Sequence, residues 1–456
     1  MGAKVCKFGG TSLADAAQMR KVDAIVRSDP DRRYVVPSAP GKRNPSDQKI
    51  TDILYRCRAH AQQGIAFDEV FRIVEDRFLQ IVMDLGLDLD LRPHLEKIKT
   101  DIGNGGQIEN PTEGASPSPG GGDQAGAYAA SRGEFLNGLV VAELLGFTFV
   151  DAAECIRFQA DGSLDAETTE SMIAQHLSGV DRAVIPGFYG SLPDGRLQTF
   201  TRGGSDISGS LVAAAVHADV YENWTDVPGL LMADPRIVAD PKVIDVVTYR
   251  ELRELAYMGA TVLHDEAIFP VRKANINVNI RSTNEPEASG SMIIPDAAPI
   301  ANMGNISGIA GRKDFTVIAV EKALMNAELG FGWRLLGVLE GLGISYEHTP
   351  TGIDTMSVVV ADAQLEGKRD LVLQEIQRTC SPDSIDLYPH MALIATVGRG
   401  MAHFPGSAAK LFGALGESGI NIRMIDQGSS ELNIIVGVEA ADFERALCAI
   451  YAAFVN

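Results

Sequence analysis

The 456-residue sequence predicts an α/β domain on a mostly parallel central sheet, followed by two small α+β modules. Three observations carry this. Short apolar, strand-like runs alternate with amphipathic helical stretches through roughly the first 300 residues. The remaining segment repeats itself at one constant offset. Hydrophobic residues make up 45% of the chain and charged residues 22%, enough for several domains with substantial cores.

Ala3–Phe8, Tyr34–Val36, Phe147–Val150, Ala183–Pro186, Val220–Trp224 and Val278–Ile280 read as the strands of the first domain. Leu13, Ala16, Ala17, Val22, Ile25 and Val26 share one helical face after the first strand. Ser12 suits the N-cap of that helix, with Asp15 three residues on. Residues 102–125 are rich in Gly, Pro and Ser and read as a loop inside the domain, because the α/β pattern resumes after it. Asn302–Asn305 is the expected linker to the repeat.

In the repeat, a shift of 76 residues pairs Gly330 with Gly406, Leu335 with Leu411 and Leu339 with Leu415. It also lays Phe315–Val320 over Met391–Thr396, and Val358–Val360 over Ile434–Val436. One gap-free offset joins a strand, a helix and a second strand, so each copy reads β–α–β followed by a more polar stretch, and the pair is expected to be two small α+β modules. The expected divisions are 1–301, 306–385 and 386–456.

The balance of 40 basic and 60 acidic side chains gives a formal charge of −20, which argues against nucleic acid or an anionic membrane as the main partner. Any anionic ligand then needs a local cluster of donors. Five scattered cysteines without a CxxC pair fit a reducing cytoplasm better than a disulfide framework. Neither a signal peptide nor a membrane-spanning run is expected.

Two glycine-rich turns carry the candidate chemistry. In "KFGGTS", Lys7 precedes Gly9 and Gly10, whose lack of side chains lets the backbone approach a ligand closely. Amides at the helix start and the helix dipole then favour an anion. This is not the GxxxxGK[ST] loop, since the lysine comes first, and an ordinary strand–turn–helix would read the same way. In "TRGGSD", Arg202 suits bidentate capture of a carboxylate or phosphate, Gly203 and Gly204 expose amides, and Ser205 or Asp206 suits a helix cap. Two such turns suggest two ends of a phosphate-transfer cleft. A third stretch, "WTDVPGLLMADPR", offers Thr225 and Asp226 for a ribose or base edge and Arg236 for a phosphate; alone it is a common kind of loop.

Together "KFGGTS", "SRGE", "TRGGSD", "WTDVPG…DPR" and "GATVLH" resemble the aspartate kinases, over nearly the whole chain. The resemblance implies the amino-acid kinase fold followed by paired ACT regulatory modules, which that family folds with one module inserted into the other. It implies ATP, with Mg²⁺ carried by the nucleotide rather than by a protein metal site, and L-aspartate as phosphoryl acceptor. Lys7 would contact the transferred phosphate, with Gly9 and Gly10 lining its path and Asp206 organising the lysine charge. Ser38, Thr51, Glu134, Arg202, Gly203 and Ser205 would hold aspartate, Glu134 taking the ammonium and Arg202 the α-carboxylate. Thr225, Asp226, Leu231, Arg236 and Thr261 would surround the nucleotide. The nucleophile is a carboxylate already ionised at neutral pH, so cationic screening matters more than a general base.

Two departures stand out. Pro37 falls where the family has an uninterrupted strand, so this strand should end or bulge just before Ser38. Thr261 stands where many relatives carry a lysine, and His264 nearby reads as a packing residue. The ACT modules imply an end-product effector, lysine or threonine, with Met325, Asn326, Asp354 and Thr355 as candidate contacts, and a homodimer or higher oligomer. The alternatives are a kinase for another acidic amino acid and a catalytically silent amino-acid sensor; a substrate panel separates them.

Overall fold

Val5, Cys6 and Phe8 are fully buried, and the strand they form is the middle of the molecule's largest sheet. In chain order the first elements are β1 (Lys4–Phe8), α1 (Ala16–Arg27), β2 (Arg32–Pro37), α2 (Ile50–Gln62), α3 (Asp68–Leu85), α4 (Arg92–Gly103) and α5 (Gln124–Leu145). Then come β3 (Thr148–Phe149), α6 (Ala152–Cys155), α7 (Ala166–His176), β4 (Ala183–Val184), β5 (Tyr189–Ser191), β6 (Leu197–Thr199), α8 (Gly204–Ala215) and β7 (Val220–Thr225). After β8 (Val246–Thr248), α9 (Tyr249–Tyr257), α10 (Phe269–Lys273), β9 (Asn277–Ser282) and β10 (Ser291–Ile294), the chain enters the repeat. That segment holds β11 (Gly308–Glu321), α11 (Phe331–Gly341), β12 (Thr355–Ala361), α12 (Asp362–Leu365), α13 (Arg369–Cys380) and β13 (Ser384–Val397). It ends with α14 (Ser407–Glu417), β14 (Met424–Asp426), β15 (Asn433–Glu439) and α15 (Phe443–Val455).

The computed structural model describes residues 2–105, 124–201, 203–260, 265–298 and 304–455. Arg202, Thr261, His264, most of the Gly/Pro-rich loop and part of the expected linker lie outside the described residues. The chain forms two compact units. The first takes Met1–Leu230, Asp245–Tyr249 and Leu263–Ala298; the second takes Leu231–Ile244, Arg250–Val262 and Pro299–Asn456. Among the described residues no helix is long and apolar enough to cross a membrane.

In the first unit the sheet order is β3-β4-β2-β1-β7-β9-β10-β8. All neighbours are parallel except β9 and β10. The order reverses at β1, with β2 on one side and β7 on the other, and in open α/β sheets ligands bind at the carboxyl ends of the strands at such a switch point. β2 does end at Pro37, and the Ser38 N–H donates to the Phe8 carbonyl at 3.1 Å. The expected Ser12 cap is corrected. Asp15 caps α1, accepting from Gln18 N at 2.9 Å, because a tight turn over Gly10–Leu13 intervenes. Ser12 is buried in that turn and shares a 2.7 Å hydrogen bond with the Thr283 hydroxyl. The strands β5, β6, β8 and β10 have three or four residues each, too few to display an alternating pattern.

The second unit is a five-stranded sheet, β12-β11-β13-β15-β14. β11 and β13 have 14 residues each and lie one repeat apart, as do α11 and α14. Both strands break at the same repeat position, where Asp314 and His390 adopt left-handed backbone at φ 70° and 60°. The break lets each strand serve two modules. Gly308–Arg312 pair with the far half of β13 beside β15, while Phe315–Glu321 lie between β12 and the near half of β13. Two cores result: Ile309, Ile394, Leu411, Val436 and Leu447 in one, and Ile318, Leu335, Val358, Val372 and Ile376 in the other. The copies are therefore interleaved rather than strung in tandem.

Candidate active site

Alternation along β1 sends Lys7 to the face opposite Cys6 and Phe8. Lys7 is 8% exposed. A buried ammonium needs a partner, and Asp206 of α8 supplies it, with Nζ 2.6 Å from Oδ1. The same oxygen accepts from Asn223 Nδ2 at 2.9 Å. Asp206 sits in the first turn of α8, whose cap, Gly203, takes left-handed backbone at φ 57°. The fully buried Ser208 and Ser210 and tightly packed Gly209 continue the helix against the sheet. Lys7, Gly203, Ser205 and Asp206 thus lie at or beside one helix N-terminus.

The "FGG" turn is held tightly. Gly9 N donates to the Trp224 carbonyl at 3.0 Å, and Gly41 N to the Gly10 carbonyl at 2.8 Å. A Cβ on Gly10 would lie 2.9 Å from the Ala39 carbonyl, so only glycine fits where these two loops cross. Behind them, buried Arg77 donates to the Gly41 carbonyl at 3.2 Å and ion-pairs with Asp47 at 2.6 Å. The Arg43 guanidinium, with Arg77 behind it, holds the Asp47 carboxyl well below the usual carboxylate range.

Glu134 approaches the same Ser38–Ala39 turn from α5. Gly133 allows the close contact, since a Cβ there would meet the Ala39 side chain at 2.9 Å. Asn137, one turn along, donates to the Ser38 carbonyl at 2.6 Å. Glu134 is 5% exposed, and burial pushes its carboxyl up to about 8 despite a hydrogen bond from the Ala39 amide. Its Oε2 has no partner among the described residues. Ser38 and Thr51 are half-buried.

Thr225 ends β7, its hydroxyl 3.2 Å from Asp226 Oδ1, and its carbonyl accepts from Thr283 N at 2.8 Å. Leu231 and Arg236 belong to the second unit. There Leu231 bridges to Val243, and Arg236, 83% exposed in its side chain, pairs with Asp234 at 2.6 Å. Among the effector candidates, Asp354 Oδ1 accepts from Leu324 N at 2.9 Å, and Asn326 N donates to the Ile353 carbonyl at 3.2 Å. Met325 is buried beside this exposed turn, and Asn326 and Thr355 are exposed.

Sequence reasoning missed Asn223, Asn137 and Gly41. It also missed a charged lattice on the other face of the sheet. There Glu222, 2% exposed, accepts from Arg32 Nε at 2.8 Å, Trp224 Nε1 at 2.9 Å and Cys6 Sγ at 3.3 Å. Arg32 and Arg281 lie 5.1 and 4.6 Å from the Trp224 ring centroid. Strand alternation marks Glu222 and Trp224 as sharing a face, but one sequence does not reveal which distant arginines meet them.

Residues 3–282 match the amino acid kinase family, and residues 394–454 match an ACT domain. Aspartokinase 3 of Bacillus subtilis is 37% identical over 460 aligned positions, covering 99% of this chain and 98% of that protein. The crystal structure of aspartate kinase from Clostridium acetobutylicum superposes over 100% of both chains with a TM-score of 0.85 and 51% identity. Escherichia coli aspartokinase III, crystallised with aspartate and ADP, superposes over 100% of both chains at a TM-score of 0.70 and 26% identity. The same enzyme has also been crystallised with lysine and aspartate. With the sheet order, its switch point at β1 and the interleaved modules, these likenesses place the chain in the amino acid kinase family, as an aspartate kinase.

Proposed function

We propose that the crevice beside β1 transfers the γ-phosphoryl group of ATP to the side-chain carboxylate of L-aspartate, giving 4-phospho-L-aspartate. The observation that carries the reading is Glu134, a buried acid with an unpartnered oxygen beside the Ser38–Ala39 turn. A zwitterionic amino acid brings the ammonium such a group requires, and Arg202 is the matching cation for its α-carboxylate. Ser38, Thr51, Gly203 and Ser205 complete the substrate pocket. Lys7 neutralises charge on the transferred phosphoryl oxygens, and the amides of Gly9 and Gly10 line their path. Asp206 holds Lys7 in place and does not act as a base, because the attacking carboxylate is already ionised. Thr225, Asp226, Leu231, Arg236 and Thr261 are assigned to the nucleotide, whose Mg²⁺ supplies further positive charge.

We assign residues 1–301 to catalysis and 306–385 and 386–456 to the regulatory ACT repeats, with the shared strands noted above. The lysine-bound structure of the Escherichia coli enzyme supports lysine as feedback effector; threonine, alone or beside lysine, is the other effector we propose. Met325, Asn326, Asp354 and Thr355 are its proposed contacts. An effector inhibits only by binding a less active arrangement more tightly. On this reading the product feeds lysine, threonine and methionine synthesis. The enzyme works in the cytoplasm, as its five free cysteines suit, as a homodimer or larger assembly.

The test is ATP-dependent acyl phosphate formation trapped with hydroxylamine. Hydroxamate is expected from L-aspartate and not from L-glutamate, and millimolar lysine, threonine or both should lower the rate. No hydroxamate from aspartate in a folded, nucleotide-binding preparation would overturn the substrate assignment. Rates unchanged by every effector combination would overturn the regulatory one.

A further inference from the structure

Lys7 and Asn223 are register partners in the parallel pair of β1 and β7. Their side chains leave the same face of the sheet and end on one atom, Asp206 Oδ1, at 2.6 Å and 2.9 Å. Asn223 is 4% exposed, so its amide cannot easily trade this partner for water. Tyr221, two residues earlier on that face, donates its hydroxyl to the Asp206 carbonyl at 3.1 Å. β7 therefore holds Asp206 at two points, the backbone through Tyr221 and the carboxylate through Asn223.

We propose that Asn223 is a positioning residue for phosphoryl transfer, fixing the Asp206 carboxylate so that Lys7 is held in one place with donors left for the transferred group. The inference rests on the roles proposed above for Lys7 and Asp206. An ammonium has three N–H donors. A carboxylate free to rotate would compete for more than one of them. With Oδ1 anchored by a neutral amide, Asp206 meets Lys7 in a set orientation, and no second charge enters the site. The chemistry at position 223 is restrictive. An aliphatic residue would remove the anchor, and an aspartate would place a second carboxylate in contact with the first. Displacement of a reacting group by about 1 Å can cost on the order of a hundredfold in rate, so a fixed lysine matters to turnover.

The experiment compares full-length parent, K7A, N223A and N223D enzymes by kcat, by KM for aspartate and ATP, and by kcat across pH 6–9. K7A is expected to lose nearly all turnover. N223A should lose on the order of tenfold in kcat while KM for aspartate stays within about twofold. In N223D two carboxylates share one site, so one holds a proton at the acid end and donates it as the amide does. Its kcat should therefore approach the parent value at low pH and fall as that proton leaves, a limb the parent lacks. A residue that merely packs would lower thermal stability without creating this limb. An N223A kcat within twofold of the parent, or an N223D profile superimposable on it, overturns the proposal. Should N223A not fold, the near-isosteric N223D decides alone. Unchanged turnover in K7A would instead sink the reading of the site, and the Asn223 inference with it.

Discussion

On the proposed reading, in which Glu134 takes the substrate ammonium, aspartate binding depends on pH. Burial raises its carboxyl from the ordinary 4.5 to about 8. Below that value the empty pocket holds a neutral acid, whereas an ammonium is bound best by the ionised form. The ionised fraction is about 1% at pH 6, about 10% at pH 7 and half at pH 8. KM for aspartate should therefore fall about fiftyfold between pH 6 and pH 8, while kcat at saturating aspartate changes far less. E134Q should bind aspartate weakly and lose this pH dependence. The stability sign is opposite to that of a salt-bridged acid. The folded pKa is raised, so the stability present below pH 4.5 is lost progressively up to about 8. At pH 7 the burden is about 3 kcal/mol, which E134Q relieves because its amide needs no proton. Its unfolding midpoint should exceed the parent's at pH 7 and match it near pH 4.5. Steady-state kinetics at five pH values, with thermal melts alongside, test both. A flat KM between pH 6 and 8, or an E134Q enzyme with parental KM, would refute the reasoning.

Three further outcomes follow from the packing. G10A forces a methyl group to within 2.9 Å of the Ala39 carbonyl, so the two loops must separate; kcat/KM for ATP should drop at least about tenfold, read by initial rates. E222Q strips the charge that Arg32 and Arg281 share, and denaturation should show a loss of about 3 kcal/mol, with quenched or shifted Trp224 fluorescence reporting the changed lattice. H390G removes a side chain from exposed left-handed backbone and should stabilise the second unit by about 1 kcal/mol, raising its thermal midpoint without altering kcat.

What the sequence displays and what it hides divide along physical lines. β1, β2, β7 and β9 were legible because runs such as Val5–Phe8 and Val220–Trp224 are short, rich in β-branched, aromatic and other apolar residues, and bounded by turns. The repeat was legible because its offset never changes over a strand, a helix and another strand. The interleaving was not legible from the residues. Asp314 and His390, which break the long strands, are of types enriched in left-handed backbone, but the same types are common elsewhere in the chain, so nothing local singles these two out. Ser12 reads as a cap from sequence alone because a tight turn and a helix start favour the same residue types, and its buried partner Thr283 lies far along the chain. Lys7 and Asp206 could be named from their glycine neighbours. Their union at 2.6 Å, and the third member Asn223, depend on strand order, which a single sequence does not encode locally.

The net charge of −20 gives these local arrangements their consequence. ATP and aspartate are both anions, and the global field repels them. On the proposed reading, the crevice answers by limiting its own negative charge before they arrive. Asp206 is matched by Lys7 and tied by Asn223, and Glu134 stays protonated until an ammonium makes its ionisation favourable. A surface-exposed glutamate would bind the ammonium without a proton to release, but it would oppose the nucleotide and the α-carboxylate at every moment before binding. A permanently neutral amide would spare the repulsion and forfeit the ion pair. Burial of an acid reconciles the two demands. The same burial costs folding stability, so the position is one where a more stable protein is expected to be a poorer enzyme.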